Sequence, residues 1–362
     1  MNIITTLQEL LDIPYPFEVE RLERDEANLA VHIYLKISKE HKPEEGWTTH
    51  SSYDRKWEHL KLFEYRCFLH CKIPLYQNKQ DKRTKALAVP FASYKKRFTH
   101  KYERQVLFLL SINPNFTQVA RQLNIAPYQV INIYEDHINP SYDNYVIDLC
   151  ENIGIDETST KKGHNYITSF VDMDTGKILD ITDTRSSKAV KDFFDCHANP
   201  TVVKNISMDM SPSFIKGCQK YFPNAKKTFD KWHVWKVVFK HLDRLFKKHK
   251  KNEQTLEKLN YFIQEFEAFY AQNNYEQANT QLMFLIDFLR ELDEKNTLSK
   301  SLTRHFDGIV QHIQSKLNNG LLEGINSKVQ VIKRNARGFR YTDNFKKLIL
   351  FAFGSILPSK LT

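Results

Sequence analysis

The stretch Ile153-Gly154-Ile155-Asp156-Glu157-Thr158 constrains this chain most: two β-branched residues bracket a glycine and a carboxylate follows. A short apolar run of this kind reads as a buried strand. An aspartate there is costly unless it is paired or holds a metal. The pattern recurs where Val202, Val203, Ile206 and Met208 lead into Asp209. A third acid, Glu323, falls in a helical pattern whose apolar face is Leu322, Ile325, Val329 and Ile332. Its own face carries Asn326, Ser327 and Gln330, with Lys333 and Arg334 one turn beyond. The expectation is that Asp156 and Asp209 share one edge of a sheet and Glu323 reaches them from a helix. Two carboxylates held together repel unless a cation lies between them, and an all-oxygen donor set selects magnesium or manganese over zinc. Taken alone, Glu323 reads as a solvated helical acid.

The chain has 362 residues, which suggests two domains with appended pieces. At 41% hydrophobic residues it can bury a sizeable core. A formal charge of +10 favours a polyanionic partner. The start is rich in acids (Glu9, Asp12, Glu18, Glu20, Glu23, Asp25) and reads as no secretion signal. No apolar run suggests a membrane span. Five scattered cysteines fit a reducing, cytoplasmic setting rather than a disulfide framework.

Residues 1–50 carry no clear motif, and His41 to Ser52 reads as a polar loop. Leu60 to Ile73 reads as a strand pair. Cys67 and Cys71 invite a zinc reading, but four residues along a strand part the sulfurs by about 13 Å, and no second ligand pair follows, so structural zinc is disfavoured. A basic segment, with Lys95, Lys96 and Arg97, leads into a helix ended by Pro114. Thr117 then reads as the cap of a helix over Gln118–Leu123, and Pro127 opens another after a three-residue break. Helix, short turn and helix, with Ala120 at the crossing, make a helix-turn-helix pattern. Tyr128, Gln129 and Asn132 on its exposed face are able to reach base edges.

From residue 145 strands take over. Asp174-Thr175-Gly176 marks a hairpin, Ser186 and Pro212 open helices, and a short strand from Lys226 to Phe229 ends at Asp230. Three strands, a helix, a strand, a helix and a strand predict an α/β sheet of mixed direction. Beyond His233 the periodicity is helical almost to the end, and the aromatic residues between 259 and 270 read as core. Lys247 to Lys251 reads as a solvated helix face, with contact to phosphates as the other reading.

Four ordered blocks resemble the DDE transposases of the ISL3 type, bacterial insertion-sequence enzymes. They are Ile153–Ser159 with Lys162-Gly163-His164; Ser207-Met208-Asp209-Met210-Ser211-Pro212; Phe229-Asp230-Lys231-Trp232-His233-Val234; and Asn318–Asn326 with Ile332-Lys333-Arg334 and Gly338-Phe339-Arg340. The resemblance implies three regions. Residues 1–90 would be an N-terminal region with degenerate zinc-module-like strands. Residues 91–145 would be the helix-turn-helix DNA-binding region. Residues 146–362 would be an RNase H-like mixed-sheet catalytic core with a large helical insertion at about 240–315. It implies Asp156, Asp209 and Glu323 as the catalytic and metal-holding triad, with Asp230 and His233 second. Many relatives carry a cysteine-rich zinc module before the helix-turn-helix; here only Cys67 and Cys71 stand in that region.

The function implied is cutting and joining of double-stranded DNA at terminal inverted repeats and target. Two Mg2+ or Mn2+ ions would be held by the triad, Asp156 bridging. Lys333, Arg334, Arg337 and Arg340 would meet phosphates. At least a dimer would act on DNA, in the cytoplasm of a bacterium at the nucleoid, with no membrane partner. The competing reading is a catalytically silent DNA-binding protein derived from such an enzyme.

Overall fold

Over residues 31–35 and 67–73 buried and more exposed side chains alternate with a period of two, which puts one row of each strand inside. The computed structural model describes residues 3–147, 149–159, 166–184, 186–196, 200–293, 295–317, 320–335, 342–354 and 356. The chain divides into two compact units, residues 1–137 and 138–358.

The first unit opens with α1 (Ile3–Leu11), β1 (Phe17–Asp25), β2 (Ala30–Ile37), β3 (Trp47–Leu62), β4 (Tyr65–Asn78) and β5 (Thr84–Ala86). The sheet order is β1-β2-β4-β3, with β5 on β4; β2 and β4 run parallel and the other pairs antiparallel. Val31, Ile33 and Leu35 of β2 meet Cys67, Leu69, Cys71 and Ile73 of β4 in one core with Leu11 and Trp57. The two cysteines therefore sit in the apolar row, and burial pushes both thiols up to about 12. Residues 47–52, expected as loop, belong to β3. Gly46 at φ +82° makes the turn, and the polar end of β3 extends past the core. With both faces wet there, no alternation marks the strand.

Three helices follow: α2 (His100–Ile112), α3 (Phe116–Leu123) and α4 (Pro127–Asp143). The buried pair Glu103–His137, 2.9 Å apart, ties α2 to α4. Asn115, not Thr117, caps α3: its Oδ1 accepts the Gln118 N–H at 3.0 Å. Asn115 follows Pro114 in the extended conformation a cap requires, whereas Thr117 is already helical. Asn124 closes α3 at φ 56°. Ala120 is 1% exposed, and Val119, Leu123, Val130 and Ile133 of the same two helices are buried as well.

The second unit begins with β6 (Asn152–Ser159), β7 (Tyr166–Asp172) and β8 (Ile178–Thr182), then α5 (Ser187–Asp195), β9 (Asn205–Met208), α6 (Pro212–Tyr221) and β10 (Lys226–Phe229). Val202, expected in the strand before Asp209, lies instead in a short 3-10 turn at Pro200–Val202, where proline fixes φ. The sheet order is β10-β9-β6-β7-β8. β9 and β10 run parallel to β6, and β7 is antiparallel to both its neighbours. Gly176 at φ +75° turns the β7–β8 hairpin.

Helices complete the unit: α7 (Lys231–Lys248), α8 (Glu253–Tyr270), α9 (Tyr275–Leu292), α10 (Thr297–Arg304), α11 (Phe306–Ser315), α12 (Gly320–Asn335) and α13 (Thr342–Phe353). Phe262, Phe266 and Phe269 of α8 are fully buried with Leu282 and Leu285 of α9, continuous with the sheet's core. Gly154 lets α12 approach β6: a Cβ there would lie 2.9 Å from Cδ2 of Leu322. Among the described residues, no helix is long and apolar enough to cross a membrane.

Candidate active site

Parallel pairing sets Gly154 of β6 level with Ser207 of β9. Two residues further along each chain stand Asp156 and Asp209, so the register brings the two acids to one end of neighbouring strands. The Asp156 carboxylate is half-buried. Its Oδ1 accepts the Glu157 N–H at 2.8 Å, and its Oδ2 accepts the Asn326 side-chain amide at 2.6 Å. Burial raises its pKa above the usual carboxylate range, against the pull of those two donors and His233; the charge of Asp209 adds to the rise. Asp209 Oδ1 accepts the Ser211 N–H at 2.9 Å, at the turn into α6.

Asp230 ends β10 and caps α7, accepting the His233 N–H at 2.7 Å and the His233 ring Nδ1–H at 3.1 Å. The hydrogen bond to Asp230 raises the His233 pKa against burial, and Asp209 and Asp156 act in the same sense. Burial opposes ionisation of Asp230, but the two His233 donors outweigh it and its pKa is lowered. Asp156 within β6 and the aspartates that follow β9 and β10 thus act on one imidazole. Beside them a cleft of about 340 Å3 is lined by Glu157, Asp209, Met210, Ser211, His233 and Lys236. Glu157 and Lys236 were not expected there: alternation along β6 sends Glu157 to the face opposite Asp156.

Glu323 is exposed near the start of α12 and makes no hydrogen bond or ion pair among the described residues. Its helix is fastened to β6 all the same. Asn326, one turn on, bridges the Asp156 carboxylate and the Thr158 hydroxyl, while Gln330 Nε2 and Lys333 Nζ each donate to the Ser159 carbonyl at 3.0 Å. Among the described residues, no three His, Cys, Asp or Glu side chains converge closely enough to hold a metal ion. The Asp156–Asp209 pair by itself has the donor chemistry of a hard dication. Asn326 was legible as a polar residue on the helix face, but nothing in its spacing marks a partner 170 residues away.

Of the residues expected to meet DNA, Tyr128 is 60% exposed and Asn132 is exposed, both on α4. Gln129 is partly engaged at home, its Oε1 accepting the Ala126 N–H at 2.9 Å. Lys95 and Arg97 are exposed, Lys96 pairs with Asp136, and Arg334 is exposed. Arg337 and Arg340 lie outside the described residues, as do Lys162, Gly163 and His164.

A family model described as a transposase matches residues 153–259 and 246–349, more than half of the chain. The chain belongs to the ISL3 family of DDE transposases. A second model, the helix-turn-helix domain of transposase family ISL3, matches residues 87–138 and so spans α2, α3 and most of α4 of this transposase. The transposase is also 22% identical over 348 residues to the transposase for insertion sequence element IS1001 of Bordetella parapertussis, covering 84% of this chain and 86% of that protein.

Proposed function

We propose that the chain cuts DNA at the ends of an insertion sequence and joins those ends to a target, with Asp156, Asp209 and Glu323 as the catalytic carboxylates. The observation that carries the reading is the register that sets Asp156 of β6 beside Asp209, just past the end of the adjacent parallel β9, with α12, the helix bearing Glu323, fastened to Asp156 through Asn326. The sheet order supports an RNase H-like core. Counted from β6 as first, the strands lie in the order 3-2-1-4-5 and only the second is antiparallel.

Asp156 and Asp209 would hold Mg2+ or Mn2+, with Glu323 of α12 as the third carboxylate of the set. The ions would supply an activated water or 3′ hydroxyl and a stabilised leaving oxygen. The protein's own groups do the positioning. Asn326 and the Glu157 N–H fix the Asp156 carboxylate, and the Ser211 N–H fixes Asp209. His233, its ring held by Asp230 at Nδ1, lines the cleft where a phosphodiester would lie. Lys236 adds a second cation there, and Lys333 and Arg334 lie further along α12. The α3–α4 pair would read the terminal repeats through Tyr128 and Asn132, and joining two ends requires at least two copies on DNA.

The test is cleavage of labelled DNA carrying the element's own ends, in manganese, by the wild type and by Asp156→Asn, Asp209→Asn and Glu323→Gln. Nicking by the wild type alone, with binding retained in all three variants, is the expected result. Binding without cutting by the wild type under every divalent metal would replace this reading with that of a silent DNA-binding derivative.

A further inference from the structure

Beside β10, at the edge of the sheet, a groove of about 600 Å3 opens between α6, α9 and α11. Its wall carries Lys216, Lys226, Lys227 and Arg304 against one acid, Asp307. Lys226 is held by Gln314 at 3.1 Å, but Lys216, Lys227 and Arg304 make no ion pair among the described residues. Three unpaired cations and a single acid form a field that favours an anion. The first turns of three helices border the same space, through Pro212 of α6, Tyr275 of α9 and Asp307 and Gly308 of α11. Each helix start adds partial positive charge.

The lining is not only basic. Tyr275 exposes 37% of its surface and lines the groove. Gln311 is only 7% exposed, yet its side chain makes no hydrogen bond among the described residues. Phe229 forms the floor, pressed so closely on α11 that a Cβ on Gly308 would lie 2.4 Å from its ring. Duplex DNA presents its backbone outward and keeps its bases inside, so it would touch the rim cations and leave the ring and the amide idle. A base turned out of the stack uses all three: a flat face for the ring, an edge for the amide and flanking phosphates for the cations. The volume suits a ligand of that size.

We infer that this groove takes an unpaired nucleotide of a DNA strand, its base against Tyr275 and within reach of Gln311, its phosphates on Lys216, Lys227 and Arg304. The inference rests on the proposed function only for the kind of strand. β10 carries Phe229 in the floor and ends at Asp230, so the groove runs along a strand that leads to the candidate active site.

The test uses the full chain and a single-stranded oligonucleotide carrying 5-iodouracil, irradiated and mapped by mass spectrometry. Binding is read in parallel by fluorescence anisotropy across a salt series. Crosslinking at Tyr275 is expected. Tyr275→Ala should weaken single-strand binding roughly fivefold to a hundredfold, with Tyr275→Phe close to wild type, because stacking requires a ring and not a hydroxyl. The double variant Lys216→Gln/Lys227→Gln should flatten the logarithmic salt slope by about 1.4, two phosphate contacts at about 0.7 each. Crosslinks elsewhere together with variants within twofold of wild type would overturn the inference, as would equal losses on a duplex of the same length. Failure of end cleavage with the Tyr275 result intact removes the cutting reading and leaves the groove. The opposite pattern removes the groove alone.

Discussion

Replacing Asn326 by Ala tests the link between α12 and the candidate active site. Its amide donates to Asp156 Oδ2 at 2.6 Å, and its oxygen accepts from the Thr158 hydroxyl. A hydrogen bond to an ionised acceptor is worth about 1.5–3 kcal/mol, and the orphaned Thr158 hydroxyl, in a residue 4% exposed, adds about 1 kcal/mol more. Asn326→Ala should therefore weaken the docking of α12 on β6 by about 2–4 kcal/mol at pH 7. Urea-dependent amide exchange in peptides from β6 and α12 measures this locally, which a chain of two compact units requires. A double-mutant cycle with Asp156→Ala isolates the pair and should give a coupling of about 1–3 kcal/mol. A coupling below about 0.5 kcal/mol would refute the reasoning, since α12 would then be held by apolar contact alone. End cleavage should fall in Asn326→Ala while DNA binding persists.

Three further outcomes follow from the geometry. Burial pushes Asp180 on β8 up to about 6, so the protonated acid suits the fold. That stability is complete below its ordinary value near 3.9 and is lost as pH rises through 6; Asp180→Asn should stabilise the second unit by at most about 3 kcal/mol at pH 8 and little at pH 4, read by thermal melting. His233 is raised by Asp230, so the contribution of that pair is present below about 6.5 and fades as pH climbs through the raised value; in Asp230→Asn the His233 titration, followed by NMR, should move down. Gly154→Ala places a methyl 2.4 Å from Met173 Sδ and 2.9 Å from Leu322 Cδ2, and should cost about 1–3 kcal/mol by pushing α12 off β6; unchanged melting and unchanged cleavage would count against the close approach.

What was legible in the sequence was local. β-branched runs ending in Asp156 and Asp209, the Asp174-Thr175-Gly176 turn and proline at the start of α6 each carry their signal within a few residues, and the structure has all of them. Tertiary engagements left no such mark. Asn115 and Thr117 are both good caps, and only the backbone at Asn115 decides between them. β1 buries Phe17 and Val19 and then runs exposed, so its charged sequence hid a strand. The bridging role of Asn326 depends on packing between segments 170 residues apart, whereas Asp230 caps α7 and holds the His233 ring only three residues away.

The separation between Asp156 and Asn326 also has a meaning in time. A chain made at roughly 5–20 residues per second needs about ten to thirty seconds to cover the 170 residues between them. In the later part of that interval, once Asp209 has been made, β6 and β9 can pair while α12 has yet to emerge from the ribosome. On the proposed function, a nascent chain that would already hold DNA through α3 and α4 would lack both the clasp on Asp156 and the proposed third carboxylate. Competence to break a chromosome would arrive late in synthesis, after the parts that only bind it.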